Sequence, residues 1–492
     1  MIDSSLLPLL LLTSLASSAL AWVMRRRQAI YAVSLAGSMA NLAISLTLIA
    51  RVLSNMVVKA FGNWLYLDNL GALILLVVAV VTTLACVYSI GYMEKEYRHN
   101  VVGLPELRRY FGLFHLFTFT MLLACSAGNL GLLWTAVSAT TLASAPLVDF
   151  YGSQAPLEAA WKYVVLTVAG SLIALFGLLL LYQSGSAALG GSYDFSIPVL
   201  AARQSLLAPT AAILAFLLVL IGFGTKAGLA PMHTWLPDAH SQAPSPVCAM
   251  LSAAELNCAM LAILRVYSLT NHVTGAGVMR FGLLGLGLLS MAVGVVFLVS
   301  QRDFKRLLAY SSIEQMGLVA VGVGVGAPLA IFGAMFQLVN HAVSKAVMFF
   351  ATGDFVIRFR TTAITDVRGA MRTMPLTAIL LLVGAIALGG APPFGLFISE
   401  FSIVNGALAS RQWIVGGAIG LLLVIAFVAL VTPLSQMVFG SPSGPPNEGR
   451  ATVEAWSSIP VVTLLAVALI LGVYLPGPLH NLIGGAAKVV GR

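Results

Sequence analysis

Residues 211–238 read AAILAFLLVLIGFGTKAGLAPMHTWLPD. The run 211–222 is apolar, as a helix inside a bilayer must be, yet Lys226, Pro231, His233 and Pro237 arrive before the chain turns polar. Gly222, Gly224, Gly228 and Pro231 would interrupt a helix here, leaving a lysine at membrane depth. Reading this stretch as a broken transmembrane helix decides the fold, so the surrounding chain must be read for further spans.

Hydrophobic residues make up 59% of the 492 and charged residues 9%, with mean hydropathy +0.98. A soluble chain of this length needs more charge to cover its surface, so the composition implies a polytopic membrane protein. The first apolar run, near 5–24, lacks a charged flank and a small-residue cleavage site and reads as a retained span, not a signal peptide. The formal charge of +9 fits basic membrane-flanking loops. No basic cluster is interleaved with aromatics, which argues against nucleic acid as a partner. Cys86, Cys125, Cys248 and Cys258 fall in or beside apolar runs without CxxC spacing, implying neither a disulfide framework nor a metal site.

About fourteen stretches can cross a bilayer at roughly 20 residues each. They centre near 15, 41, 79, 118, 139, 172, 217, 257, 288, 316, 339, 382, 425 and 468. Lys and Arg favour the odd-numbered connections, fifteen against seven, with Arg25, Arg26, Arg27, Lys95 and Arg98 prominent. That bias places the odd loops in the cytoplasm and both termini on the opposite side. One all-α bundle is expected, with GSPSGPPNEGR at 440–450 as a polar loop within it.

Span twelve looks broken as well, by Gly389, Gly390, Pro392, Pro393 and Gly395. Interrupted helices at corresponding places five spans apart are the mark of a transporter built from repeats, although proline kinks alone are common in membrane helices. Ionisable residues inside the spans are Lys226, Glu255, Arg265, Glu314, Lys345 and Glu400, with His341 one turn before Lys345 on the same face. Each costs about 2.5–3.5 kcal/mol at the membrane centre, so they persist where they pair or line water. Joined by water, such lysines, carboxylates and histidines would form a proton wire. Singly they have duller readings. Arg265, Asp238 and Asp303, near span ends, suit snorkelling or capping; Glu314 suits a hydrogen bond within a bend. His115 suits a packed histidine, and His233 and His240 suit flanks of the broken helix.

Four segments carry a resemblance: GTKAGLAPMHTWLPDAHSQAPSPV (224–247), DFKRLLAYSSIEQMG (303–317), NHAVSKAVMFFATG (340–353) and GGAPPFGLFISEF (389–401). From about residue 65 to 440 the chain resembles the antiporter-like proton-channel subunits of respiratory complex I, Mrp cation/proton antiporters and group 4 nickel–iron hydrogenases. LEAAWKY (157–163), LAYSSIEQMG (308–317) and the asparagine in span eight are most similar to the hydrogenase-4 component F group.

The resemblance implies a fourteen-span bundle with two inverted five-helix repeats, spans 4–8 and 9–13. The corresponding segments are 1–109 for the N-terminal spans, 110–270 for repeat one, 275–440 for repeat two and 441–492 for the C-terminal loop and last span. It implies a proton relay of Lys226, His341, Lys345 and Glu400, with Asn257 where many relatives carry a second lysine. Glu158 and Lys162, four apart at the start of span six, can pair, and His233, Asp238 and Glu314 would support the relay.

The chain has no redox equipment of its own: no clustered cysteine ligands, nucleotide-binding glycine loop or haem motif. The expectation is therefore a cofactor-free proton-translocating subunit in a bacterial-type inner membrane, not catalytic alone. Its partners would be other membrane subunits and a peripheral redox arm with metal centres. A Na⁺(K⁺)/H⁺ antiporter subunit and a structural subunit with a decayed proton path are the alternatives.

One departure favours the last. The family's span-five glutamate follows a tryptophan by four residues, and here that position is Ser138, which holds a water but supplies no counter-charge. Asp149, eleven residues on, lies about 16 Å further along the helix. Glu255 has the right depth on span eight, but points about 200° away from Asn257, so it suits Lys226 only by turning towards span seven or five. The competing expectation is a Lys226 solvated through Ser138.

Overall fold

The computed structural model describes residues 2–54, 56–190, 193–441 and 455–491. Helices α1 (Ile2–Val23) and α2 (Arg27–Leu53) precede a small antiparallel hairpin, β1 (Val58–Ala60) and β2 (Leu65–Leu67), in which Val58 opposes Leu67. Helices α3 (Asn69–Arg98), α4 (Leu104–Ser126), α5 (Leu130–Val148) and α6 (Gln154–Leu189) follow. After a short α7 (Ile197–Ala202), span seven is split into α8 (Pro209–Lys226) and α9 (Trp235–Gln242). Span eight runs from α10 (Ser245–Met250) through a π-helical turn at Leu251–Glu255 into α11 (Leu256–Thr270). Spans nine to eleven are α12 (Gly277–Ser300), α13 (Phe304–Val325) and α14 (Pro328–Phe359). A one-turn α15 (Ala370–Thr373) leads to the split span twelve, α16 (Pro375–Leu388) and α17 (Gly395–Ala409). Helices α18 (Trp413–Phe439), α19 (Ala455–Val473) and α20 (Gly477–Gly491) complete the chain.

Eleven helices among the described residues are long and apolar enough to cross a membrane. Adding α4, α14 and the pair α16–α17 brings the crossings to the expected fourteen, and the protein is a multi-pass membrane protein. An even number puts both termini at one end of the bundle. The ion pairs Arg27–Glu94 (3.0 Å), Lys95–Asp354 (3.0 Å) and Arg360–Glu96 (2.7 Å) gather at the other, which we term the basic end. Two elements depart from the expected all-spanning bundle. The hairpin sits between α2 and α3, and α20, too short to cross, packs on α3, α11 and α14 at the end holding the termini. There Asn271 Nδ2 donates to Val490 O at 3.1 Å, and His480 lies 5.3 Å from the Phe332 ring. Apart from residues 440 and 441, the expected polar loop at 440–450 lies outside the described residues.

Burial sorts the helices. The π-turned span eight and, apart from Arg306 in its first turn, α13 are enclosed by protein, whereas α18 faces outward, with Ile414 89% exposed. With no water in hydrocarbon, non-helical backbone there must bond inside the protein. Both breaks obey. At the first, Gly228 takes a left-handed conformation (φ 77°), Ala230 N donates to Ser290 Oγ at 2.9 Å, and Trp235 Nε1 donates to Thr225 O at 2.7 Å. At the second, Gly390 is also left-handed (φ 73°), and Asn340 Nδ2 donates to Gly395 O at 2.9 Å. A Cβ at Gly390 would fall 2.0 Å from Glu400 Oε2, so this glycine makes room for that carboxylate.

The Lys/Arg bias sets the expected orientation, with the basic end in the cytoplasm. A cysteine placed at Arg26 is expected to resist an impermeant thiol reagent applied from the outer side and to react after the membrane is opened. Labelling of intact cells at that position would reverse the topology.

A buried ionic and amide network across two broken helices

Lys226 is the last residue of α8, which ends there because Gly228 and Pro231 cannot continue it. Its side chain is 1% exposed, and Nζ lies 2.9 Å from Glu255 Oε1. It also donates to Thr141 Oγ1 on α5. Glu255 Oε1 accepts in addition from Thr140 Oγ1 and Tyr163 Oη, each at 2.7 Å. The Tyr163 hydroxyl is shared onward with Ser144 Oγ at 2.8 Å, and its ring packs 4.6 Å from Trp235 of α9. Four helices and the π turn thus enclose one ion pair. The π turn ends on Glu255 and aims it at α8 and α5, while Asn257 turns the other way and donates from Nδ2 to Leu338 O on α14 at 3.2 Å.

Ser138 plays no part in this shell. Its hydroxyl has no hydrogen-bond partner in the protein, and Thr140 and Thr141, two and three residues on, face the pair instead. The expectation of a lysine solvated through Ser138 is therefore corrected: the lysine has a carboxylate, supplied by span eight. Asp149 caps the basic end of α5, remote from it.

The second half is built differently. Lys345 Nζ donates to Leu308 O at 2.6 Å and to Ser311 Oγ, both on α13, without a carboxylate in contact. His341, one turn earlier on α14, is fully buried with neither ring nitrogen bonded to protein. Glu314 is buried on α13 with Oε1 unbonded. Glu400 Oε1 accepts from Gln315 Nε2 at 3.1 Å. Gln337 Nε2 donates to Gln315 Oε1, Ser399 Oγ donates to Gln337 Oε1 at 2.5 Å, and Asn340 Nδ2 donates to Ser399 Oγ at 3.1 Å. This chain of three neutral amides and one hydroxyl joins α13, α14 and α17 and ends on Asn340, the residue before His341. A weighing of charges passes over Gln315, Gln337 and Asn340; their only signal is that amides in apolar helices are expensive unless bonded. Between the halves, Ser252 of the π turn bonds Ser312 of α13 at 2.8 Å.

The expected supporting residues separate. Glu158, Lys162 and Asp238 form a partly exposed cluster at the basic end: Lys162 contacts Glu158 at 2.7 Å and Asp238 at 3.2 Å, and Arg306 contacts Asp238 at 2.8 Å. Such pairs contribute little singly. His233 packs against the Phe297 and Tyr310 rings with Nδ1 unbonded. His115 is buried, edge-on to Phe114. Asp303 caps α13, accepting from Arg306 N at 2.8 Å. Arg265 does not snorkel. It is buried and makes a bidentate pair with Asp68 at 2.5 and 2.7 Å, because Asp68, the cap of α3, brings a carboxylate to its depth. Among the described residues no cluster of three or more His, Cys, Asp or Glu is placed to hold a metal.

The profile described as NADH:quinone oxidoreductase/Mrp antiporter, TM, matches residues 127–436, which contain both broken helices and the network just described. The one described as NADH-Ubiquinone oxidoreductase (complex I), chain 5 N-terminus, matches 63–111. The chain is similar to a hydrogenase-4 component F homolog of Methylacidiphilum infernorum, 33% identical over 84% of this chain and 86% of the relative. It is also similar to NADH-quinone oxidoreductase subunit N of Moorella thermoacetica, 30% identical over 87% of this chain and 85% of that one. Among solved structures, a chain of the membrane-bound sulfane sulfur reductase, described as an archaeal respiratory membrane complex, shares the fold. Its TM-score is 0.87 at 25% identity, covering 100% of this chain and 98% of that one.

Removing one member of a buried pair strands the other charge, at about 3–5 kcal/mol. Lys226→Met and Glu255→Leu are each expected to lower the melting temperature clearly, and the double variant to lose less than the two single losses combined. Additive losses in such a cycle would show that the two side chains do not interact.

Proposed function

The chain belongs to the NADH:quinone oxidoreductase/Mrp antiporter family of membrane subunits, and from that premise we propose that it translocates protons within a hydrogenase-4-like or complex I-like oxidoreductase complex. The observation that carries this reading is the enclosed series of ionisable and amide side chains, from Lys226 and Glu255 through Ser252 and Ser312 to Lys345, His341 and Glu400. Ionisable groups persist at this depth where they serve a proton or ion path.

In this reading Glu255 is the counter-charge of Lys226, doing from span eight what the span-five glutamate does in the family pattern. The pair removes the motive for a decayed first half. Residues 110–270 and 275–440 act as the two inverted repeats, and Lys345, His341 and Glu400 form the second half's relay. A proton on Lys226 is favoured while Glu255 stays close and is released as they separate. Metal centres and electron transfer belong to a peripheral redox arm of partner subunits, whose changes of charge or shape move the helices here. The basic end lies in the cytoplasm of a cell with the complex in its inner membrane.

The test is proton uptake by vesicles containing the complex. Lys345→Ala is expected to reduce redox-driven uptake on the order of a hundredfold or more while the complex still assembles. Unchanged uptake overturns the assignment, and uptake that requires Na⁺ points to the antiporter reading instead.

A further inference from the structure

A set of buried polar atoms outside this relay lies between the basic end and Lys345. Lys95 Nζ stands 3.0 Å from Asp354 Oδ1 and donates to Ser457 Oγ at 2.8 Å. Asp354 follows Lys345 on α14 by nine residues, about 13 Å along the axis. Three other helices turn polar side chains towards that interval: Tyr88 of α3, Ser245 of α10 and His240 of α9, each fully buried. The Tyr88 ring stacks 4.7 Å from Phe350 and the His240 ring lies 5.5 Å from Phe349, so both lie against the turn of α14 between Asp354 and Lys345.

The Tyr88 hydroxyl, the Ser245 hydroxyl and His240 Nε2 have no hydrogen-bond partner in the protein. Gly353 brings the first two together: a Cβ there would stand 2.4 Å from Tyr88 Oη and 3.2 Å from Ser245 Oγ. The two oxygens are therefore no further apart than one water can bridge. Several unbonded polar atoms in one buried seam are rare in folded proteins, and ordered water is their usual partner.

We propose that Tyr88, Ser245 and His240 line a file of water that carries protons from the Lys95–Asp354 mouth to Lys345, an inlet separate from the Lys226–Glu255 pair and from the Glu400 chain. The inlet rests on the proposed proton function. Each water and each hydroxyl accepts one proton on oxygen and passes its own onward, so neither Tyr88 nor Ser245 changes charge. His240 Nδ1 donates to Leu236 O at 2.9 Å, which leaves Nε2 as an acceptor that orients a water. The travelling proton ends on the Lys345 amine.

The experiment uses the whole complex in vesicles, with Tyr88→Phe and Ser245→Ala singly and together, beside Lys345→Ala. Tyr88→Phe keeps the ring on Phe350 and removes only the hydroxyl. The double variant is expected to slow proton uptake roughly tenfold with assembly unchanged. A high-resolution map of the unaltered complex is expected to show water joining Tyr88 Oη, Ser245 Oγ and His240 Nε2, and this arm decides alone if the double variant fails to assemble. Full uptake by the double variant while Lys345→Ala is silent, or a dry seam in the map, overturns the inlet and leaves the proposed function standing. An unaltered complex that moves no protons overturns both.

Discussion

An ammonium group at hydrocarbon depth needs a carboxylate or water, and the packing around Lys226 follows from that requirement. Span eight supplies Glu255 to it and α5 supplies Thr141, while Thr140 of α5 and Tyr163 of α6 donate in turn to the Glu255 carboxylate. Opposite charges in contact attract strongly where the dielectric is low, but each lost its hydration on burial, so the surrounding hydroxyls are as necessary as the pair. The π turn answers a second demand. It lets one helix aim Glu255 at span seven and Asn257 at span eleven, on opposite faces of the same two turns.

The two halves of the network meet the constraint by different chemistry. The first neutralises its lysine with a carboxylate at contact distance. The second holds Lys345 on a carbonyl and a hydroxyl, with Glu314 and Glu400 apart from it on other helices. Neutral amides can hand on hydrogen bonds without adding charge, so the Gln315–Gln337–Ser399–Asn340 chain fixes Glu400 while leaving its field uncancelled.

The breaks that make room for these groups are themselves costly, and each is closed by side chains of neighbouring helices. Ser290 and Trp235 close the first, Asn340 the second. Asn340 serves twice, since the amide that holds the second break also ends the Glu400 chain. Backbone geometry and polar network are thus one construction, and a change to either disturbs both.

The chain's sequence alone marked the fourteen crossings, the positions of both breaks, and Lys226, Glu255, Glu314, Lys345 and Glu400 as ionisable residues inside the bundle. Those properties are local: length and hydropathy set a span, and glycine with proline interrupts it. It narrowed the choices for Lys226 to Glu255 or solvation through Ser138 but did not decide between them, because helical phase across a π turn cannot be read from spacing. It gave no sign that Asp68 would meet Arg265 across 197 positions, or that Gln315, Gln337 and Asn340 would align. The hairpin and α20 were equally out of view, being too short to leave a hydropathy signal. Partnership between residues on different helices depends on rotation, depth and tilt, and those are settled only when all the helices pack at once.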